Sequence, residues 1–306
     1  MTDFGRHMED YLRLRRQLGF KLKTAGEILP QLVAYLVAAG ISTLTAEPAI
    51  TWARLPQGVQ ASSWTQRLAA ARGFARYLQT VEPATEIPPT GIWRSSTRRP
   101  TPYLYSDSDV RRLLVAARQL RPQLRAATNQ TLFGLLAATG MRVGEALGLQ
   151  RDDVDLAEGV LTIRNTKFGG SRMVPLHPTV TSALRSYATD RNRMCPRPRA
   201  RTFFVSTVGT AVLYRAVCQT FDQLRAATGL HSATPRPRIH DLRHSFAVNT
   251  LVEWHRSGAD VHGNLAVLST YLGHVNPANT YWYLSATPEL MELAAARLDR
   301  RFGGKR

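Results

Sequence analysis

Cysteine is almost absent from this chain of 306 residues. Cys195 and Cys218 are the whole supply, and neither sits in a CxxC pair or beside a histidine cluster, so neither a disulfide framework nor a zinc site is indicated. That usage suits a reducing compartment, and a cytoplasmic location is expected. Long apolar runs are missing too: nothing approaches the ~20 residues that cross a bilayer, and the polar, charged stretch Met1 to Arg16 lacks the apolar centre of a signal peptide. No membrane partner is expected. Acidic residues are in short supply, with 22 Asp and Glu against 40 Lys and Arg and a formal charge of +18. The excess is mostly Arg and is spread along the chain rather than gathered in a tail. A polyanion is the natural partner, and a folded, DNA-facing surface fits this better than a basic arm. Internal repeats and low-complexity segments are also lacking.

What is there reads as two domains, mainly α with a small antiparallel β-sheet. Residues 1–82 carry helical periodicity throughout, with Ile28, Leu32 and Leu36 on one stripe and Trp64, Leu68, Ala71, Ala75 and Leu78 on another. Gly19, Gly40 and the stretch Pro56 to Gly58 punctuate it into about four short helices. Arg13, Arg16, Lys21, Lys23, Arg67, Arg72 and Arg76 lie on the polar faces. Each alone suits a solvated face, and together they suit a phosphate backbone. Residues 83–102, with five prolines and Arg94, Arg98 and Arg99, read as an extended basic linker. A mixed domain, 103–306, opens on the capping pattern Ser106-Asp107-Ser108-Asp109 and continues through an apolar helix, Leu132 to Ala138, that ends at Gly140. The period then switches to two in Val160 to Ile163 and in Met173 to Leu176, with Lys167-Phe168-Gly169-Gly170 between them, as in a β-hairpin. Helix resumes from His177. Two Pro/Arg loops, Pro196 to Arg201 and Pro235 to Arg238, look suited to backbone phosphates.

Four stretches carry chemistry. In His240-Asp241-Leu242-Arg243-His244 an imidazole and a guanidinium stand one helical turn apart, able to face one anionic group together. A solvated helix face would give the same pattern. In Thr139-Gly140-Met141-Arg142-Val143-Gly144-Glu145, Arg142 follows a glycine break at a helix start with Glu145 one turn on, which also suits an ordinary ion pair. Tyr271-Leu272-Gly273-His274 is followed nine residues past the histidine by Tyr283, with Tyr281 a rival two residues earlier. Asp152, Asp153 and Asp155 could suggest a metal-dependent nuclease, but neighbouring carboxylates in a turn point in alternating directions and seldom converge on one ion. No metal ligand and no cofactor site is expected.

Taken in order, Thr-Gly-Met-Arg-x-x-Glu, a hairpin Lys, His-x-Leu-Arg-His, Leu-Gly-His and a Tyr nine residues later resemble the tyrosine recombinases, the family of the phage integrases and bacterial Xer proteins. The resemblance covers Tyr103 to about Arg301 by motif, and the N-terminal unit by size and position. It implies a helical core-binding domain followed by an α+β catalytic domain. It implies Tyr283 as nucleophile, Arg142 and Arg243 as a phosphate clamp, and His240 and His274 as proton-handling or hydrogen-bonding groups. Lys167 would be the general acid, and Glu145 would orient Arg142 or the hairpin. His244 receives no required role and is expected to pack or hydrogen-bond behind Arg243. The tail Pro288 to Arg301 reads as a terminal helix, which in the family docks on a neighbouring subunit. A homo-tetramer on paired sites in double-stranded DNA is therefore implied, alone or joined by related integrases.

The chemistry agrees with the residue types. Attack on a phosphodiester builds charge on the non-bridging oxygens, which fixed cations can meet without a metal. A tyrosine, with its ordinary pKa of about 10, must lose its proton during attack, and the departing 5′ oxygen must gain one. A phosphotyrosine conserves the bond energy, so ATP is not needed. The stretch from Arg243 to Leu272 is longer than in compact Xer-like patterns and resembles some transposon-borne integrases. Integration, excision or transposition of a mobile element is thus expected ahead of Xer-like chromosome or plasmid resolution. A type IB topoisomerase is a further alternative, as is a DNA-binding regulator with a decayed site.

Overall fold

The computed structural model describes residues 3–93, 101–164, 170–274, 276, 278–285, 290–293 and 295–296. The chain divides into two compact units, Met1–Arg99 and Pro100–Arg306. Among the described residues no helix is long and apolar enough to cross a membrane.

Among its described residues the first unit is built from four helices, α1 (Phe4–Gln17), α2 (Lys23–Ala38), α3 (Ala46–Arg54) and α4 (Ala61–Leu78). Leu29, Leu32 and Leu36 of α2 meet Trp52 of α3 and Leu68, Phe74 and Leu78 of α4 in one core, closed by Phe4 and Leu12 of α1. Two of the arginines read as suited to a phosphate backbone are engaged within the fold. Arg67 lies 4.0 Å over the Trp52 ring and donates to Gln31 Oε1 (2.9 Å). Arg72 donates to the carbonyls of Pro88 and Pro89 (2.8 and 2.6 Å). Residues 83–93, read from sequence as the start of a linker, are held on the helices by those bonds, by buried Thr85, and by Glu86, which accepts from the Ala46 N–H at the start of α3. The carbonyls of a proline-rich stretch have few backbone donors to meet, and Arg72 supplies two.

The second unit begins with α5 (Asp107–Arg118), entered through a capping box in which Ser106 and Asp109 satisfy each other's backbone N–H groups. α6 (Gln123–Thr139) packs against α5 and against α8 (Pro178–Met194), so apolar residues surround it rather than forming one stripe. Between them lie the short helix α7 (Val143–Gly148) and an antiparallel sheet of β1 (Val154–Asp155), β2 (Val160–Ile163) and β3 (Arg172–Pro175). β2 and β3 form the expected hairpin, pairing Val160 with Pro175 and Ile163 with Arg172. β1 adds a third strand where sequence showed only an aspartate turn. α9 (Tyr214–Ala227) completes the main core, and α10 (Asp241–Arg256) leads from it into a second cluster shared with α11 (Val261–Leu272), Tyr283 and Leu290. Between Arg243 and Leu272, α10 runs on to Arg256, the chain turns at Gly258, and Asp260 caps α11. Leu290, at the head of the expected terminal helix, is buried in its own unit, and most of the remaining tail lies outside the described residues.

Candidate active site

The arginine side of the site is organised by two glycines. α6 ends on Gly140 at φ +60°, and a Cβ there would lie 2.5 Å from the Phe246 ring, so only glycine permits the approach of α10. The reversal puts Arg142 at the N-cap of α7. Its backbone N–H donates to Glu145 Oε2 (3.0 Å), its Nη1 to Glu145 Oε1 (2.8 Å) and its Nη2 to the Gly273 carbonyl (3.0 Å). Arg243, in the first turn of α10, is 2% exposed and donates from Nη1 to the Gly140 carbonyl (2.9 Å) and from Nη2 to the Leu272 carbonyl (2.8 Å). The last carbonyls of a helix lack intrahelical donors and carry the negative end of its dipole, so the end of α11 is a fitting seat for guanidinium groups. Burial, and then the neighbouring Arg142, lowers the Arg243 pKa to about 10, which leaves it charged at neutral pH. Burial alone would raise the Glu145 carboxyl, but hydrogen bonds from Arg172 and Arg142 hold it down at about 2.

The other side gathers histidines around the tyrosine. His240 stands just before α10 and His244 one turn along it, with ring centroids 4.8 Å apart. His244 Nδ1 lies 3.1 Å from the Tyr283 hydroxyl. α11 ends on Gly273 at φ +69° and delivers His274, whose Nδ1 is 2.7 Å from Thr280 Oγ1 and whose ring stacks on that of Tyr283 at 6.1 Å. Tyr283 itself sits in a 3₁₀ turn, Trp282–Ser285, after the short helix α12 (Ala278–Tyr281); it is 2% exposed, whereas Tyr281 is 48% exposed. Burial lowers the pKa of His240, with Arg243 next among the causes. It also lowers those of His244 and His274 to about 4, reinforced by His240 in the first case and by Arg243 in the second. At neutral pH these imidazoles are uncharged, and each keeps one nitrogen able to accept a proton.

Arg142, Glu145, His240, Arg243, His274 and Tyr283 thus come together, while Lys167 falls in 165–169, outside the described residues. Two members of the site carry more than sequence assigned to them. His244 touches the tyrosine hydroxyl rather than packing behind Arg243; its spacing one turn from His240 on the same helix was the available signal. Arg172, the first residue of β3, received no role from sequence and forks onto Glu145. The aspartates diverge: Asp152 pairs with Arg201, Asp153 accepts from the Gln150 N–H and pairs with Arg164, and Asp155 accepts from the Ala157 and Glu158 N–H groups. The Pro/Arg loops are partly committed within the fold, because Arg238 neutralises fully buried Asp241 and Arg236 reaches Asp222.

Among known proteins, the model of the phage integrase family matches residues 104–289. A Sinorhizobium fredii protein named as an integrase/recombinase, y4rB, is 43% identical over 99% of both chains. The tyrosine recombinase XerC of Methylobacterium nodulans is 32% identical over 84% of this chain and 80% of its own. Of solved structures, the integrase of transposon Tn1549 in complex with a circular intermediate DNA aligns with a TM-score of 0.67 at 17% identity, covering 96% of this chain and 99% of that one. XerH bound to its difH substrate before cleavage aligns at 0.62 and 19%, covering 90% and 79%.

Proposed function

Because the chain belongs to the phage integrase family, the tyrosine recombinases, which transfer DNA strands without metal or ATP, we propose that it is a site-specific recombinase acting through a phosphotyrosine at Tyr283. The observation that carries this reading is the convergence of Arg142, Arg243 and His274 on one turn, the end of α11, beside the Tyr283 ring. Two permanently charged groups and neutral imidazoles then surround the one tyrosine of the Thr280 to Leu284 stretch that is packed into the site.

In the reaction, Tyr283 Oη attacks phosphorus and gives up its proton to a neighbouring imidazole. The bond from phosphorus to the 5′ oxygen breaks, and that oxygen takes a proton from Lys167. The guanidiniums of Arg142 and Arg243 meet the charge on the non-bridging oxygens. The 3′-phosphotyrosyl bond is then attacked by the 5′ hydroxyl of another strand, returning the proton and freeing the tyrosine. Because Tyr283 is 2% exposed, its turn is expected to shift outward before the hydroxyl meets a phosphate.

Double-stranded DNA is the substrate, and a homo-tetramer on paired sites is the working assembly. Movement of a mobile element is the biological role, supported by the full-length likeness to an integrase/recombinase and by the long sequence stretch from Arg243 to Leu272, which resembles some transposon-borne integrases. The test is strand exchange between two duplexes in excess EDTA. Exchange is expected from the wild type and not from Tyr283→Phe. Relaxation of supercoiled DNA without exchange would point to a topoisomerase, and activity restored only by Mg²⁺ would overturn the mechanism.

A further inference from the structure

Three successive carbonyls at the end of α11 are each taken by a different arginine. Tyr271 O accepts from Arg172 Nε (2.8 Å), Leu272 O from Arg243 Nη2 (2.8 Å) and Gly273 O from Arg142 Nη2 (3.0 Å). The three side chains come from β3, α10 and the start of α7, so one backbone turn sets the register of all of them. Gly273 belongs to this arrangement as well, since a Cβ there would lie 2.7 Å from Arg172 Nη1. The guanidinium packs flat against the glycine.

Arg172 is more deeply set than Arg142. Its side chain is 10% exposed, as is that of Glu145, whereas that of Arg142 is 33% exposed. Its fork closes on Glu145, Nη1 to Oε1 (3.1 Å) and Nη2 to Oε2 (2.8 Å), so the carboxylate accepts two bonds from Arg172 and two from Arg142. The charges then decide the consequence. Arg142 paired with Glu145 alone is neutral; with Arg172 added the trio carries one net positive charge, and the outward-facing member is Arg142.

We propose that Arg172 is a positioning residue of the phosphate clamp: it occupies the charge of Glu145 so that Arg142 stays cationic toward the scissile phosphate, and it pins the α11 turn that seats Arg142 and Arg243. The proposal rests on the strand-transfer reading above. Arg172 touches no reacting atom. Its loss leaves Glu145 to draw Arg142 inward and cancel its charge, and leaves the Tyr271 carbonyl without the Arg172 donor.

The test is single-turnover cleavage of three substrates: ordinary DNA, DNA with a neutral methylphosphonate at the scissile position, and DNA with a bridging 5′ sulfur. On ordinary DNA, Arg172→Met is expected to slow cleavage by about 10²-fold or more, the usual worth of a donor to developing oxyanion charge, with substrate affinity nearly unchanged. On the methylphosphonate, where no anionic charge has to be offset, the deficit should nearly vanish. The 5′ sulfur should not relieve it. Adding Glu145→Gln to Arg172→Met should restore part of the rate on ordinary DNA, because the charge that captures Arg142 is gone. Arg172→Lys, which keeps the cation but cannot make the fork and the Tyr271 bond together, should fall between wild type and Arg172→Met with the same substrate pattern. An equal deficit on all three substrates with a lowered unfolding temperature would reduce Arg172 to a fold-holding role and overturn the proposal. Relief by the 5′ sulfur would also overturn it, placing Arg172 with the leaving-group acid. A wild-type protein that forms no covalent adduct on ordinary DNA would instead sink the strand-transfer reading, a failure visible before any variant is compared.

Discussion

Arginine does different work in the two units. On the first, Arg13, Arg16, Lys23 and Arg76 are exposed on the helices and Lys21 is exposed in the loop between α1 and α2, with Arg13 paired to the nearby Asp10. In the second, Arg243 is buried and both its terminal nitrogens are bonded to carbonyls, while Arg142 and Arg172 share one carboxylate. A long solvated cation adapts to wherever a phosphate lies, contributes through counterion release, and is screened by salt. A guanidinium fixed in advance has already lost its freedom and been desolvated, so it can favour a transition state over a ground state. Basic side chains are therefore suited to affinity in one unit and to rate in the other.

The largest effect that would sharpen this contrast lies with the leaving group. Lys167→Ala is expected to slow cleavage of ordinary DNA by about 10²- to 10⁴-fold, the range of general acid catalysis, and to recover on the 5′-thio substrate. Arg142→Ala should not recover there, because its charge is directed at the non-bridging oxygens. Next is Arg243→Lys, which keeps the charge but cannot bridge the Gly140 and Leu272 carbonyls. A loss of about 10²- to 10³-fold in cleavage rate, with near-normal DNA affinity, is the expected result. If affinity fell and rate did not, the two units would not differ in kind.

Neutralising Arg13, Arg16, Lys21 and Lys23 together should do the opposite. Affinity should weaken and the dependence of log K on log salt should flatten by about 0.9 for each lost phosphate contact, leaving the single-turnover rate at saturation unchanged. A filter-binding titration across salt concentrations measures it.

The smallest effect concerns pH and stability. His244 and His274 have folded pKa values of about 4 against an unfolded value of about 6.5, so the unfolded chain binds more protons between those limits. Stability should be full above pH 6.5 and decline as pH falls toward 4, with Glu145 adding to the loss below about 4.5, its ordinary value. Thermal unfolding between pH 4.5 and 7.5 should show this slope, and His244→Gln with His274→Gln should flatten it. An unaltered slope in the double variant would assign the protons elsewhere.

The motif residues were legible because their chemistry restricts the residue type and the helical turn fixes their spacing. Arg142 with Glu145, and His240 with Arg243, are three apart, and local geometry alone brings each pair together. The contact of His244 with Tyr283 and the grip of Arg172 on Tyr271 span parts of the chain joined only by the packing of α10, β3 and α11, for which no local spacing exists. β1 escaped notice because two residues are too few to show a period. Arg67 and Arg72 looked like phosphate contacts because a polar position on a helix does not reveal whether the side chain will lie over a tryptophan or reach a proline carbonyl.

The reaction turns on one oxygen atom. Wild-type protein incubated with its DNA in excess EDTA, digested with protease and nuclease, and sequenced by mass spectrometry should carry the nucleotide adduct on Tyr283, with Tyr281→Phe still forming it and Tyr283→Phe not. An adduct on Tyr281, or none until Mg²⁺ is supplied, would contradict the account.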